Sequence, residues 1–300
     1  YIGGAPHYLL RGNITSKPSS LGFKFSSNPP SPTNLVTVSD GILDDNLIID
    51  AELGISMGGN SDYENGPRWD NIHITNNVLT KLGETKPTNR DLAWGIEADD
   101  WQSGLISGNL LHAFGSDSEL NILPIFLKGY CTNVTVDANI SWDVGIDTGS
   151  NNNPIGVRLN DAGDTIGTMN GVVISNNYFQ TSKEQWVMEN EDSATGVTFT
   201  DNKYYSGRDT NEWFSQAGSS YSYAAWQALS NITDTGATLT QTTWFDDSRT
   251  IESYMTSLGQ TATHDEFINK AREMMEPGSW DADYTASAFN FYMFTGFTPV

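Results

Sequence analysis

The sequence is poor in several residue types, and each shortage excludes a class of site. One cysteine, Cys131, is present in 300 residues, which excludes both an internal disulfide and a cysteine-based metal framework. Only 15 basic residues stand against 37 acidic ones, for a formal charge of −22. Nucleic acids and anionic membrane surfaces need clustered Lys and Arg, so neither is expected as a partner. No apolar run approaches the ~20 residues of a transmembrane helix, so no membrane insertion is expected.

Catalytic motifs with a fixed local spacing are also absent from the sequence. It contains no Gly-rich phosphate loop, no zinc-ligand spacing and no nucleophile elbow. A site must therefore be sought among residues that the fold brings together, which makes the fold the first question.

A short phrase recurs along the chain with the template apolar-x-apolar-x-x-Asn. Its five copies end at asparagines that are 25 to 38 residues apart, namely Asn77, Asn109, Asn139, Asn177 and Asn202. Alternation with period two is typical of short strands with one buried face. Asparagine suits the corner after a strand because it tolerates left-handed backbone geometry, and stacked asparagines can hydrogen-bond as a ladder. Repeats of this size bury their apolar face only when they stack on one another.

The repeat predicts an all-β fold, a right-handed parallel β-helix over residues 1–209. An antiparallel β-sandwich also consists of short strands, but it has no reason to repeat one phrase at near-constant intervals. Residues 210–300 instead show helical spacing, with helix caps at Thr263 and at Asp247 or Ser248. They predict a small α-helical cap over the open end of the solenoid.

The C-terminal wording resembles the tail that follows the β-helix in a group of secreted, carbohydrate-associated β-helix proteins. This resemblance covers "AAWQALS…WFDDSRTIESYMTSLG" and "YTASAFNFYMFTGF". It implies a secreted or cell-surface protein whose partner is a polysaccharide. It names no reaction.

A second predicted strand lies upstream of each asparagine phrase, and its outward residues form columns across the coils. Aligning these strands on their apolar residues gives two outward columns, Ser56, Glu97, Lys128, Arg158, Met188 and Gly58, Asp99, Tyr130, Asn160, Asn190. Neighbouring coils are ~4.8 Å apart, so column neighbours can touch. Lys128 beside Arg158 would repel unless an anion lay between them, and a carboxylate or sulfate on a sugar chain would serve.

The predicted fold resembles that of the β-helix polysaccharide lyases, which abstract the proton next to a uronate carboxyl group. The resemblance implies Lys128 as the base and Arg158 as the group that neutralises the carboxylate or acts as acid. It also implies that Glu97 with Asp99 or Asp100 could hold Ca²⁺ through oxygen ligands. β-Elimination on an anionic glycan is therefore the first expectation.

Further residues near these columns are expected to bind the glycan. They are polar groups, or aromatic and cationic groups next to loops, namely Tyr130, Asn160, Asp161, Trp101 and Arg68. Aromatic faces stack well on sugar rings, although tryptophan is also an ordinary core residue.

Three alternatives stay open at this stage. A glycoside hydrolase on the same fold would use two carboxylates about 5–9.5 Å apart, which the stretch Glu97–Trp101 with Asp161 could supply. A non-catalytic glycan-binding or tailspike-like β-helix needs no catalytic pair. The charged column could also be a surface ion network, with Lys128 paired to Glu97 and Arg158 to Asp161.

Overall fold

The computed structural model describes residues 7–26, 37–58, 69–86, 88–115, 120–145, 153–160, 169–276 and 278–300. Within these residues the chain winds into a parallel β-helix whose coils each contribute one strand to three sheets. The predicted parallel β-helix is confirmed. The sandwich alternative is wrong, because successive coils pair their strands in parallel.

The three sheets are numbered by the order in which the chain first enters them. Sheet 1 consists of Tyr8–Arg11, Gly41–Asp44, Ile72–Thr75, Gly104–Ser107, Val134–Asp137, Val172–Ser175, Val197–Thr200 and Thr233–Thr235. Sheet 2 consists of Ile14–Ser16, Leu47–Ile49, Val78–Thr80, Leu110–His112, Ile140–Trp142, Tyr178–Gln180 and Lys203–Tyr205. Sheet 3 consists of Leu21–Ser26, Leu53–Gly58, Leu92–Asp99, Asn121–Lys128, Val157–Asn160, Met188–Asn190, Phe214–Gln216 and Ser219–Tyr221. A separate pair joins Val38–Ser39 to Trp69–Asp70.

The asparagine phrase forms the corner between sheets 1 and 2. The buried asparagines form a ladder in which Asn109 Oδ1 accepts from the backbone N of Asn77 at 3.0 Å and from its Nδ2 at 2.9 Å. Asn109 Nδ2 in turn donates to the carbonyl of Ile74 at 2.9 Å. The same contacts recur from coil to coil, so the predicted ladder is confirmed. The left-handed backbone belongs to the residue before each ladder asparagine, as at Asn76 with φ 56°.

The inward side chains of the repeat form the core. All five apolar residues three positions before the ladder asparagines are fully buried, namely Ile74, Ile106, Val136, Ile174 and Phe199. Stacking on the next coil removes from water a face that a single coil would leave exposed.

Among the described residues, four helices lie in the C-terminal part of the chain. They are α1 (Tyr223–Gln227), α2 (Ile251–Ser257), α3 (His264–Glu273) and α4 (Ala286–Gly296), with short 3₁₀ turns at Thr210–Glu212 and Ala282–Tyr284. The predicted cap at Thr263 is confirmed, because its side chain accepts from Glu266 N. The predicted cap of α2 at Asp247 or Ser248 is wrong, since Thr250 and Ser253 form a capping box there. None of the described helices is long and apolar enough to cross a membrane.

The C-terminal region covers two different parts of the solenoid. Trp226 of α1 packs against Phe199 and Phe214 and closes the end of the core. Helices α2 to α4 instead lie along the outward face of sheet 2, where Leu110 and its column neighbours share an apolar cluster with Phe289. The region is therefore an end cap joined to a wall along one side.

Candidate functional site

The outward face of sheet 3 carries a row of polar and charged side chains. One column, called the first outward column, contains Lys24, Ser56, Glu97, Phe126, Arg158, Glu189 and Ser215. A second outward column, two residues further along the strands, contains Asp99, Lys128 and Asn160. Several of these side chains are buried even though they point away from the core, so the row lies in sheltered surroundings.

The position of Lys128 differs from the predicted column. Phe126, not Lys128, pairs with both Glu97 and Arg158, while Lys128 pairs with Asp99 and Asn160. The strand begins earlier than expected, so Ile125 is the residue that aligns with the inward apolar residue of the neighbouring coil. A slip of two residues keeps each side chain on its predicted face, and so Lys128 still points outward.

The last predicted column member is also wrong, this time by one residue. Glu189, not Met188, pairs with Arg158. A slip of one residue moves every side chain to the other face, and here it brings a carboxyl group into the row.

Glu97 lies at the end of a hydrogen-bond chain that crosses three coils. Lys24 Nζ donates to Ser56 Oγ at 2.9 Å, and Ser56 Oγ donates a short hydrogen bond to Glu97 Oε2. Glu97 is 8% exposed. The chain holds its carboxyl group in one orientation on the sheet.

Asp99 is two residues further along the same strand and faces the same side. Its Oδ2 lies 3.4 Å from Lys128 Nζ, and its side chain is only 5% exposed. Burial raises the pKa of Asp99 to about 7, although Lys128 acts to lower it. Its Oδ1 is buried and accepts no hydrogen bond from the described residues. Asp99 is thus a carboxyl group that holds its proton close to neutral pH.

Lys128 is the most accessible charged group beside Asp99, with 35% of its side chain exposed. Burial alone would lower the pKa of Lys128, but the carboxyl groups of Asp99 and Glu97 outweigh burial and raise it. A lysine base needs a lowered pKa. These surroundings therefore disfavour the expected role of Lys128 as the base.

Arg158 is held by acidic neighbours. Its Nε lies 3.0 Å from Glu191 Oε2 and 3.5 Å from Glu189 Oε2, and Asn160 Nδ2 also donates to Glu191. Arg158 therefore forms an ion pair, but with Glu191, which was not predicted, and Lys128 pairs with Asp99 and not with the predicted Glu97. Asp161, the predicted partner of Arg158, lies outside the described residues.

The two glutamates beside Arg158 have opposite pKa shifts. Burial raises the pKa of Glu189 to about 7 in spite of Arg158. Burial also acts to raise the pKa of Glu191, but the hydrogen bonds from Arg158 and Asn160 outweigh it, so this pKa is lowered. The row thus holds a second carboxyl group that is protonated near neutral pH, three coils from Glu97.

The remaining predicted residues have different positions. Trp101 is fully buried and donates its indole N–H to the carbonyl of Met57 at 3.1 Å, so its prediction as a glycan contact is wrong: it is a core residue. Tyr130 N donates to Asp100 Oδ1 at 2.8 Å, which holds the turn after the sheet 3 strand. Arg68 lies outside the described residues. Among the described ranges, no group of three or more His, Cys, Asp or Glu is arranged to hold a metal ion.

Several residues of the row were not predicted from the sequence. Lys24 belongs to a coil that lies before the first asparagine phrase, although the alternation in "LGFKF" signals its strand. Glu189 was hidden by the one-residue slip. Glu191 follows the end of its strand, and no periodic signal marks such a position.

Comparison with known proteins adds no assignment to this geometry. No protein-family model, curated protein or solved structure matches this chain. The fold and the sheet 3 row are therefore the basis for inferring what the protein does.

Proposed function

We propose that the protein binds an extracellular polysaccharide along the outward face of sheet 3 and hydrolyses it there. Asp99 is the general acid and Glu97 the carboxylate that assists the attacking water. The observation that carries the proposal is the placement of Asp99, whose buried carboxyl group lies on the same face of the same strand as Glu97 and whose pKa burial raises to about 7. A carboxyl group that keeps its proton near neutral pH can pass it to the oxygen of a departing sugar.

The placement of the two groups supports hydrolysis by a pair of carboxyl groups. Residues two apart on one strand have Cα atoms about 6.6 Å apart, with side chains on the same face. Glycosidases that use paired carboxyl groups place them about 5–9.5 Å apart, a range that two side chains on one face of a strand can span. The hydrogen bond from Ser56 keeps the Glu97 carboxyl group oriented for that role.

β-Elimination through Lys128 is the second candidate function. The exposure of the Lys128 amino group, and Arg158 on the adjacent strand, favour it. The raised pKa of Lys128 disfavours it, because a protonated amine cannot abstract a proton. Ca²⁺ at Asp99 and Asp100, and the secreted or cell-surface location, stay predictions.

The test is cleavage of a panel of neutral, uronate-containing and sulfated polysaccharides. Reducing ends and the ultraviolet absorbance of an unsaturated product are followed together, with and without a chelator. We expect new reducing ends without the absorbance, and we expect Asp99→Asn and Glu97→Gln to reduce their formation strongly. Asp137→Asn is the matched control, since this aspartate points outward from sheet 1.

The other outcomes separate the alternatives. An absorbance increase that Lys128→Ala abolishes would establish β-elimination. Binding with neither signal would make the protein a non-catalytic glycan binder. Loss of activity with the chelator would support Ca²⁺.

A further inference from the structure

A groove lies between the first coil and helix α3. Its volume is about 480 Å³, within the ~300–1,000 Å³ typical of small-molecule sites. One wall is the corner at Asn13 and Ile14, and the other contains Arg272 and Trp280. Neither wall forms the groove alone, so it exists only because the C-terminal region docks on the solenoid.

Polar contacts fix the two walls against each other. His264 Nε2, at the start of α3, lies 2.8 Å from Ser16 Oγ, and Lys17 Nζ lies 3.3 Å from Asp265 Oδ1. The groove is therefore pre-formed, which lowers the entropic cost of binding a ligand.

The charge of the groove is opposite to that of the protein. No Asp or Glu is among the described residues that line it, although the chain carries a formal charge of −22. Arg272 makes no ion pair with any described residue, whereas Arg11, Arg90, Arg158, Arg208 and Arg249 all do. A guanidinium left unpaired in such an acidic protein is available to a carboxylate of a ligand.

Two further groups in the groove indicate a ligand that contains a ring and hydroxyl groups. Trp280 is 72% exposed and offers an aromatic face. Asn13 is the first rung of the ladder: its backbone N and Nδ2 donate to Asn46 Oδ1, at 3.0 and 2.9 Å. Its own Oδ1 accepts no hydrogen bond from the described residues, unlike Asn46 Oδ1, and can accept one from a hydroxyl group.

We infer that this groove is a second binding site that takes an acidic sugar. The ring lies against Trp280, its carboxylate pairs with Arg272, and a hydroxyl group donates to Asn13. The site goes beyond the proposed function, because it does not depend on cleavage at sheet 3. It would hold a uronate-containing chain apart from the row where cleavage is proposed.

The test is calorimetric titration of the full chain with a uronic acid disaccharide and with its neutral counterpart. We expect the acidic disaccharide to bind more tightly. Arg272→Gln should weaken it about tenfold, the value of one charge-assisted hydrogen bond, without changing the neutral one. Arg272→Lys should give an intermediate loss. Trp280→Ala should weaken both sugars, whereas Phe291→Ala, an equally exposed aromatic outside the groove, should weaken neither.

Opposite results overturn the inference. They are no binding, equal affinity for both sugars, or an affinity unchanged by Arg272→Gln. Loss of binding in Asp99→Asn alone would place the sugar at sheet 3 and also overturn it. If Arg272→Gln weakens binding but no polysaccharide is cleaved, the groove stands and the proposed hydrolysis fails. Unchanged thermal unfolding of each variant shows that it folds.

Discussion

The outward faces of sheets 2 and 3 belong to the same coils, yet they are buried in opposite ways. On sheet 2, Leu110 and its neighbours join the apolar cluster that contains Phe289 of α4. On sheet 3, the buried outward residues include Glu97, Asp99 and Glu189. Apolar burial stabilises the fold, whereas burial of carboxyl groups costs free energy. The comparison indicates that sheet 2 is a structural wall, and it supports the proposal that the functional site lies on sheet 3.

The largest expected effect is a loss of stability when apolar contacts over sheet 2 are removed. Phe289→Ala should lower the free energy of unfolding by about 3–5 kcal/mol, because it leaves a cavity among buried aromatic rings. Chemical denaturation measures the change. Thr198→Ala, on the exposed face of sheet 1, is the control and should have little effect. A loss equal to that of the control would mean that the helices do not stabilise the solenoid.

The second expected effect is a lower rate of cleavage at sheet 3 in a protein that keeps its fold. Asp99→Asn should lower the rate of polysaccharide cleavage about 10²–10⁴-fold, the usual contribution of general acid catalysis. Product formation under saturating substrate measures it. Retained activity would remove Asp99 from the mechanism.

The third effect is on stability and depends on pH. The pKa of Asp99 rises from 3.8 to about 7 on folding, so the folded protein keeps a proton that the unfolded chain releases in this range. Stability therefore falls as pH rises through this window. Asp99→Asn lacks this penalty and should be more stable than the parent above pH 7, by about 4 kcal/mol. Melting at several pH values checks it, and the two proteins should converge below about pH 4.

The smallest expected effect separates the roles of Lys128 and Asp99. Lys128 lowers the pKa of Asp99, so Lys128→Met should raise that pKa further. The alkaline limit of activity should then move to higher pH, by roughly one unit or less. A pH–rate profile measures the shift. A complete loss of activity would instead favour Lys128 as the base.

Part of the sheet 3 site could be predicted from the sequence, and part of it could not. Glu97 and Asp99 were expected on one outward face because alternation along a single strand decides it. The placing of Lys128 beside Arg158 failed because register depends on where each strand begins, and the loops between coils differ in length. Trp101 was expected at the surface, but its indole group packs inside, and neither choice is marked in the local pattern.

The sequence by itself determined the stacking of coils, the asparagine ladder and, for most strands, the side that faces the core. These follow from the residue pattern of one repeat, which recurs in every copy and so lets equivalent residues meet on neighbouring coils. Only the tertiary structure decided the register between coils, the covering of sheet 2, the groove at Asn13 and the pKa of Asp99. Each of these depends on groups distant in sequence, because burial and the electrostatic field at a residue are set by whatever the whole fold packs around it.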